Sequence, residues 1–171
     1  MEYKYYERKI NDIIMKCPIE AGVEILVYNV LDSIVMPEDF SLVDINRIWK
    51  NKDARLTTDS GISDIAVLSN DFEFKTEGGT VYGFIEIKAT SVTLSETEQM
   101  KGQKSATNHY LYTNGLVWQY FMNGICQWTK VLEEKGKKSI TVAQPISISK
   151  NEFIDLMTKL NTIKWKETLE K

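Results

Sequence analysis

Residue types that carry several common enzyme chemistries are scarce in this chain. Its 171 residues include one histidine, two cysteines and three prolines. Cys17 and Cys126 lie far apart and lack the close spacing of a zinc site, so the pattern favours reduced thiols, with a disulfide as the alternative. The lone His109 has no neighbouring cysteine or second histidine, which indicates a structural role and gives little support for a nucleophilic hydrolase.

Common motifs and targeting segments are also absent from the sequence. There is no G-x-x-x-x-G-K-[ST] phosphate loop, which argues against an ATP-driven motor, and no G-x-G-x-x-G, G-x-S-x-G or H-E-x-x-H motif. No stretch approaches the roughly 18 consecutive apolar residues of a membrane span. The start of the chain has no apolar segment typical of a signal peptide. We therefore expect a cytoplasmic protein without a membrane segment.

The composition is that of a globular protein. Hydrophobic residues make up 43% of the chain and charged residues 26%, which excludes a disordered sequence and predicts a single domain over residues 1–171. The net charge of -3 gives no bulk signature of a nucleic-acid binder. Two locally basic stretches are either solvated faces or surfaces that approach a phosphate backbone. They contain Arg47, Lys50, Lys52 and Arg55, and Lys135, Lys137 and Lys138.

Hydrophobic spacing and capping residues predict the helices. Apolar residues three and four apart predict helices over 3–16 and 19–35, and a short one over 40–50. Ser149 followed by Glu152 is a capping box that opens a terminal helix. Ser95 and Glu98 repeat this signature before a segment that is unusually polar for a helix.

Alternation and turn residues predict the strands. Residues 61–90 contain two β-type runs joined by a polar, glycine-containing connection. Asn114-Gly115 is typical of a type I′ turn between strands. A second Asn-Gly, Asn123-Gly124, indicates a third strand, so residues 109–132 are predicted to form a three-stranded meander. Residues 139–142 are a further candidate strand. With helices and strands interspersed, the expected fold class is α/β (α+β).

The second strand of the 61–90 hairpin carries charged residues on one face. Side chains alternate along a strand, so Phe84, Glu86 and Lys88 share a face opposite Ile85, and Asp64 comes from the neighbouring strand. Charges near an apolar core need partners or metals, and hard cations such as Mg²⁺ bind carboxylate oxygens. A chance pattern on a solvated strand face is the alternative explanation.

Two polar pairs at helical spacing flank this hairpin. Glu20 and Glu24 are four apart and share an edge of the 19–35 helix. They are either solvated glutamates in a first turn, where negative charge suits the helix dipole, or carboxylates close to the charged group. Gln99 and Gln103 share a face of the polar helix. The inner face of this helix is predicted either to be exposed or to meet a polar site.

In their order and spacing, these features resemble the PD-(D/E)xK restriction-endonuclease-like superfamily. The chain is similar, over roughly residues 18–122, to the N-terminal nuclease domain of type I restriction enzyme R subunits and their stand-alone relatives. The matching parts are Glu20, Ser63-Asp64 in place of the usual Pro-Asp, Glu86-Ile87-Lys88, the glutamine-bearing helix, and Thr113-Asn114-Gly115 followed by Leu116-Val117-Trp118-Gln119-Tyr120. The resemblance implies a restriction-endonuclease-like central mixed β-sheet flanked by helices.

The resemblance also implies roles for individual residues. Asp64, Glu86 and the Ile87 backbone carbonyl would bind one or two Mg²⁺ ions, or Mn²⁺ in their place. Lys88 would position or activate the attacking water. The other implied catalytic residues are Glu20, with Glu24 left open as the nearer carboxylate, and Gln103, with Gln99 as the alternative.

The expected function is that of a Mg²⁺-dependent endo- or exodeoxyribonuclease in restriction, defence or phage DNA processing. Its partner would be DNA. Without a motor of its own it would act alone, as a homodimer, or with a separate motor or specificity protein. The alternative is a non-catalytic module that keeps the nuclease fold and binds or inhibits a host defence or nucleic-acid complex, and the net acidity of the chain suits this alternative.

Overall fold

Helices and strands are arranged around one mixed β-sheet. The computed structural model describes residues 1–34, 39–46, 53–134 and 144–167. Within these ranges the chain is a mixed α+β fold with four α-helices and a six-stranded sheet. The helices are α1 (Tyr3–Lys16), α2 (Glu20–Asp32), α3 (Glu98–Ser105) and α4 (Lys150–Asn161). The strands are β1 (Phe40–Asp44), β2 (Ile65–Ser69), β3 (Val81–Ile87), β4 (His109–Thr113), β5 (Val117–Met122) and β6 (Ile125–Val131).

The strands lie side by side in sequence order, from β1 to β6. The β3–β4 pair is parallel, and the other neighbouring pairs are antiparallel. A parallel pair requires a crossover connection, which is the segment 88–108 that contains α3. The predicted 61–90 hairpin and 109–132 meander are both confirmed. The crossover lays α3 against β3 and β4, which positions its polar side chains over the sheet.

The sheet separates two hydrophobic clusters. One cluster joins the sheet to α1, α2 and α4 and contains Val27, Ile85 and Phe153. The other joins the opposite face to α3 and contains Phe84 and Met100. Phe84 and Ile85 are adjacent on β3 yet enter different clusters, which confirms the alternation predicted from strand period.

The helices at both ends follow the sequence closely. The helix predicted over 3–16 is confirmed as α1, whereas α2 ends at Asp32, earlier than predicted. Ser149 caps α4, because its side chain accepts a hydrogen bond from the Glu152 amide at 3.3 Å. The Glu152 carboxylate pairs with Lys130 at 3.1 Å, so the structure describes only the Ser149 half of the predicted capping box.

The helix predicted over 40–50 is wrong for the described part of that segment. Phe40–Asp44 is strand β1, which pairs with β2 along its length. Phe40 and Leu42 are both partly buried against the first cluster, two residues apart as strand period requires. Ile45 is buried beyond the end of β1, and its spacing from Leu42 produced the helical pattern.

The predicted start of the polar helix is also corrected. Thr97 caps α3, since its side chain accepts from the Met100 amide at 3.1 Å. The helix therefore begins at Glu98. With Ser95 as the predicted cap, Glu98 would have been the third residue of the helix. Since Met100 stands three residues after Thr97, the cap that forms has no reciprocal glutamate.

The two Asn-Gly turns differ from one another. Asn123 and Gly124 both have positive φ, 50° and 78°, as a type I′ turn requires. At the first turn only Gly115 has positive φ, 81°. There the Asn114 side chain forms the turn, accepting from the Val117 amide at 2.8 Å. The type I′ prediction is therefore wrong for Asn114-Gly115, because side-chain hydrogen bonding replaced the left-handed backbone.

Arg55 has a structural role in the described part of the basic stretches. Its guanidinium donates to the two oxygens of Asp53 at 3.1 and 2.8 Å, and to the carbonyls of Gly78 and Glu73 at 2.7 Å each. It also lies 4.1 Å from the centre of the Phe72 ring, and so fixes the β2–β3 connection. The other basic residues of these stretches lie outside the described residues: Arg47, Lys50, Lys52, Lys135, Lys137 and Lys138. The candidate strand 139–142 also lies outside them.

His109 is held within the core, in agreement with its predicted structural role. It is 1% exposed, and its ring nitrogens lie 2.7 Å from the Tyr120 hydroxyl and 2.9 Å from the Glu167 carbonyl. Cys17 and Cys126 are exposed free thiols. Over the part of the chain that the structure describes, no helix is both long enough and apolar enough to cross a membrane.

Candidate functional site

Charged residues gather where β2 begins and β3 ends. Asp64 immediately precedes β2, and antiparallel pairing of Ile65 with Ile85 brings it beside the end of β3. The Asp64 amide donates to the Ile85 carbonyl at 3.1 Å. In return, the Ile87 amide donates to the Asp64 carboxylate at 2.6 Å. These two bonds fix Asp64, which is 9% exposed, against β3.

Glu86 is surrounded by nitrogen donors. The Lys88 ammonium lies 2.5 Å from its Oε1, and the Gln99 amide donates to the same oxygen at 3.2 Å. The Gln103 amide donates to Oε2 at 3.1 Å. Glu86 is 3% exposed, so these bonds offset the cost of burying its charge. The sequence offered Gln103 and Gln99 as alternatives, whereas the structure brings both to Glu86, one on each oxygen.

The polar character of α3 follows from this arrangement. Gln103 is 0% exposed and faces Glu86, while Met100 enters the second hydrophobic cluster. The inner face of α3 therefore meets a polar site, one of the two alternatives that its sequence allowed. Gly102 permits close docking, because a Cβ there would lie 1.6 Å from the Ser60 hydroxyl.

A group of three carboxylates adjoins the Glu86 cluster. Glu20 and Glu24 come from the first two turns of α2, and each offers an oxygen that lies within 4.8 Å of the other and of one from Asp64. Within the described residues, this group consists of Glu20, Glu24 and Asp64 and does not include Glu86. The sequence did not decide whether Glu20 or Glu24 is nearer to the site. Both lie next to Asp64, and the three carboxylates could hold a cation.

Burial and like charge act together on the acidic residues. Burial, followed by the nearby charge of Glu86, raises the pKa of Asp64 from 3.8 to about 7. Burial also raises the pKa of Glu86, against the opposing effect of Lys88. Burial by itself lowers the pKa of Lys88, but the bond to Glu86 and the charges of Glu86, Glu20 and Asp64 together outweigh this, and the net pKa is raised. Lys88 therefore neutralises Glu86, whereas the main contact of Asp64 is a neutral amide.

A cavity beside the carboxylate group is lined by two of its members, Asp64 and Glu24. Its volume is about 190 Å³. Ile25, Tyr28 and Asp44 also line it. The acidic group is thus accessible from the α2 side of the sheet, although Asp64 itself is nearly buried.

Sequence reasoning missed Tyr110. Its hydroxyl donates to the Gln103 carbonyl oxygen at 2.8 Å and so extends the cluster into the core. Tyr110 stands opposite Phe84, and Tyr112 opposite Glu86, in the parallel β3–β4 register. Alternation along β4 is visible in the sequence, but the parallel pairing that brings its tyrosines to the Glu86 face is not.

Comparison of the chain with protein-family models, with curated proteins and with solved structures finds no match in any of the three. The fold and the site therefore define a mixed α+β protein with a six-stranded mixed sheet in its described residues. At one end of β2 and β3 this protein carries a compact group of carboxylate, lysine and glutamine side chains.

Proposed function

We propose that this protein is a Mg²⁺-dependent deoxyribonuclease with a restriction-endonuclease-like fold. The observation that carries the proposal is the convergence of Asp64, Glu86 and Lys88 at one end of β2 and β3. Glu20 from α2 and Gln103 from α3 lie beside them. Residues far apart in the sequence thus supply several carboxylates, one ammonium and an amide to one small volume, in the order expected from the family resemblance.

The donor set fits a hard divalent cation. Glu20, Glu24 and Asp64 present carboxylate oxygens close to one another, the ligand type that Mg²⁺ prefers and that Mn²⁺ also accepts. Glu86 is proposed to join them through Oε2, which accepts one described hydrogen bond, from Gln103, and so keeps a second lone-pair site. A bound cation of this kind would activate water and stabilise charge on a phosphodiester. The Ile87 carbonyl is proposed as a further ligand.

The side chains have distinct proposed roles in phosphodiester hydrolysis. Lys88, held by Glu86 at 2.5 Å, supplies a positive charge that holds a phosphate oxygen or orients the attacking water. Its raised pKa keeps it protonated near neutral pH, so its part is electrostatic. Asp64 is held by the Ile87 amide and presents its carboxylate toward α2. Gln103 and Gln99 fix the position of Glu86.

Cleavage assays test this function and distinguish an endonuclease from an exonuclease. The protein is incubated with supercoiled plasmid, linear duplex, single-stranded DNA and RNA, each with Mg²⁺, with Mn²⁺ and with chelator. We expect metal-dependent DNA cleavage; nicking of the closed plasmid would mark an endonuclease and loss of linear DNA alone an exonuclease. Asp64→Asn and Lys88→Ala should each lower the rate at least ~100-fold. Lys101→Ala is the matched control, since Lys101 pairs with Glu98 on the outside of α3.

The outcome also separates the two candidate functions. If no substrate is cleaved with either metal, the enzyme proposal is wrong and the non-catalytic binding module takes its place. If cleavage persists undiminished in both variants, the protein is a nuclease but the site is misplaced.

A further inference from the structure

A buried chain of hydrogen bonds runs from the core to the site. The Tyr110 hydroxyl donates to Gln103 Oε1 at 2.8 Å, and Gln103 Nε2 donates to Glu86 Oε2 at 3.1 Å. Tyr110 and Gln103 are both 0% exposed, and Glu86 is 3% exposed. Water is therefore excluded from these bonds, and each polar atom depends on its protein partner.

This chain of hydrogen bonds has a fixed donor-to-acceptor direction. The Glu86 carboxylate can only accept, so it must face the amide nitrogen of Gln103. The carbonyl oxygen of Gln103 then points to Tyr110, whose hydroxyl must donate. Burial raises the pKa of Tyr110, and the charge of Glu86 raises it further, so the hydroxyl keeps its proton. Rotating the Gln103 amide by half a turn would set oxygen against carboxylate and leave two buried donors facing each other.

The Tyr110 ring and its hydroxyl do different things. The ring packs in the second hydrophobic cluster, with its centre 6.1 Å from that of Phe121, and phenylalanine would fill the same space. The hydroxyl adds a polar atom that is costly to bury unless it is hydrogen-bonded. Its described contact is with Gln103, so the hydroxyl serves the Gln103 amide and not the packing.

We propose that Tyr110 is a positioning residue of the site, whose hydroxyl fixes the orientation of the Gln103 amide and, through it, the Oε2 side of Glu86. The Oε1 side is held by Lys88 and by Gln99, which is exposed. This inference rests on the proposed function for its effect on catalysis. The positioning itself is a property of the folded protein and is measurable without any reaction.

The kinetic test is Tyr110→Phe, which removes one oxygen atom. We expect kcat for DNA cleavage to fall about tenfold, the effect of one buried hydrogen bond to a charged network, while KM for DNA changes less than about twofold. Tyr120→Phe is the matched control. Tyr120 is also a buried tyrosine of the sheet, but its hydroxyl bonds to His109 at 2.7 Å, so its loss should leave kcat unchanged. An equal fall in kcat in both variants would refute positioning.

A double variant tests the route through Gln103. In a Gln103→Met background, Tyr110→Phe should have no further effect on kcat, because the group through which it acts is gone. If Tyr110→Phe still lowers kcat about tenfold in that background, Tyr110 acts by another route and the proposal is overturned. Thermal melts of each variant establish that all of them are folded.

A spectroscopic readout separates this inference from the proposed nuclease activity. The side-chain amide signals of Gln103 are assigned by their absence in Gln103→Met. In Tyr110→Phe these signals should shift and their protons should exchange with solvent at least ~10-fold faster, with no such change in Tyr120→Phe. Unchanged Gln103 signals would overturn the positioning role whether or not the protein cleaves DNA. Changed signals in a protein without nuclease activity would leave the positioning intact and refute the function.

Discussion

Replacing Asp64 by asparagine should stabilise the metal-free protein at neutral pH. Asp64 lies near Glu20, Glu24 and Glu86, and its pKa in the folded protein is raised from 3.8 to about 7 by burial and by the charge of Glu86. A raised carboxyl pKa means that folding favours the protonated form. Ionised Asp64 therefore opposes folding, and Asp64→Asn removes this charge while keeping an oxygen that can accept from the Ile87 amide.

The pH dependence and the magnitude follow from the pKa. The destabilisation is absent below about pH 4, where the unfolded carboxyl is protonated, and reaches its full value above about pH 7. A rise of about three in the pKa of Asp64 corresponds to on the order of 4 kcal/mol in unfolding free energy, because each unit of pKa is worth about 1.4 kcal/mol. The new Asn amide group must also find a partner, such as a neighbouring glutamate. We therefore expect a net gain of roughly 2–3 kcal/mol at pH 8.

Denaturant unfolding in chelator, at several pH values from 4 to 8, measures this effect. The difference in unfolding free energy between Asp64→Asn and wild type should be slightly negative at pH 4, where the cost of the Asn amide remains, and should become positive as the pH rises towards 8. Asp155→Asn is a control of opposite sign. Lys130 lowers the pKa of Asp155, so this carboxylate stabilises the fold above its unfolded pKa. A difference for Asp64→Asn that is independent of pH, or a loss of stability at pH 8, would refute the electrostatic reasoning.

Three further predictions follow from the same geometry. Mg²⁺ at ten times its Kd should stabilise wild type by about 1.4 kcal/mol, or several degrees in Tm. The Asp64→Asn protein should respond less, and an equal rise in both would remove Asp64 from the metal site. Gln103→Leu should cost about 1–3 kcal/mol in denaturant unfolding, because buried polar partners are left unpaired, whereas the exposed Gln99→Leu should cost under about 0.5 kcal/mol; equal costs would contradict the burial of Gln103. Gly102→Ala should destabilise α3 by about 1–3 kcal/mol despite the better helix propensity of alanine, since its Cβ would meet Ser60. Ser60→Gly should restore most of that loss in thermal melts, and no rescue would show that the clash is not the cause.

Local patterns in the sequence determined much of the fold. Strand period placed Phe84 and Glu86 on the face opposite Ile85, and the structure agrees because side-chain alternation is a property of the extended backbone itself. The spacing of apolar residues likewise gave the bounds of α1. The missing apolar stripe of α3 was a usable signal for a polar site, because a helix that packs on a core must present apolar side chains to it.

Tertiary structure alone decided how these elements meet. Segment 40–50 contains both strand and helix spacings, and β1 formed where pairing with β2 was available, so the long-range partner settled the local conformation. The parallel register of β3 and β4 brought Tyr110 to Gln103, and the packing of α2 brought Glu24 beside Asp64. Sequence period specifies which residues share a face, but the distance between two faces depends on pairing and packing between segments far apart in the chain.

The protonation of the site was decided in the same way. The sequence supplied Asp64, Glu86 and Lys88 as ionisable groups, each with an ordinary pKa. Burial under α3 and the contact between Lys88 and Glu86 neutralised one carboxylate, while burial against β3 left Asp64 with a strongly raised pKa. Charge interactions and desolvation depend on three-dimensional distances and on solvent access, so only the folded chain could raise the pKa of Asp64.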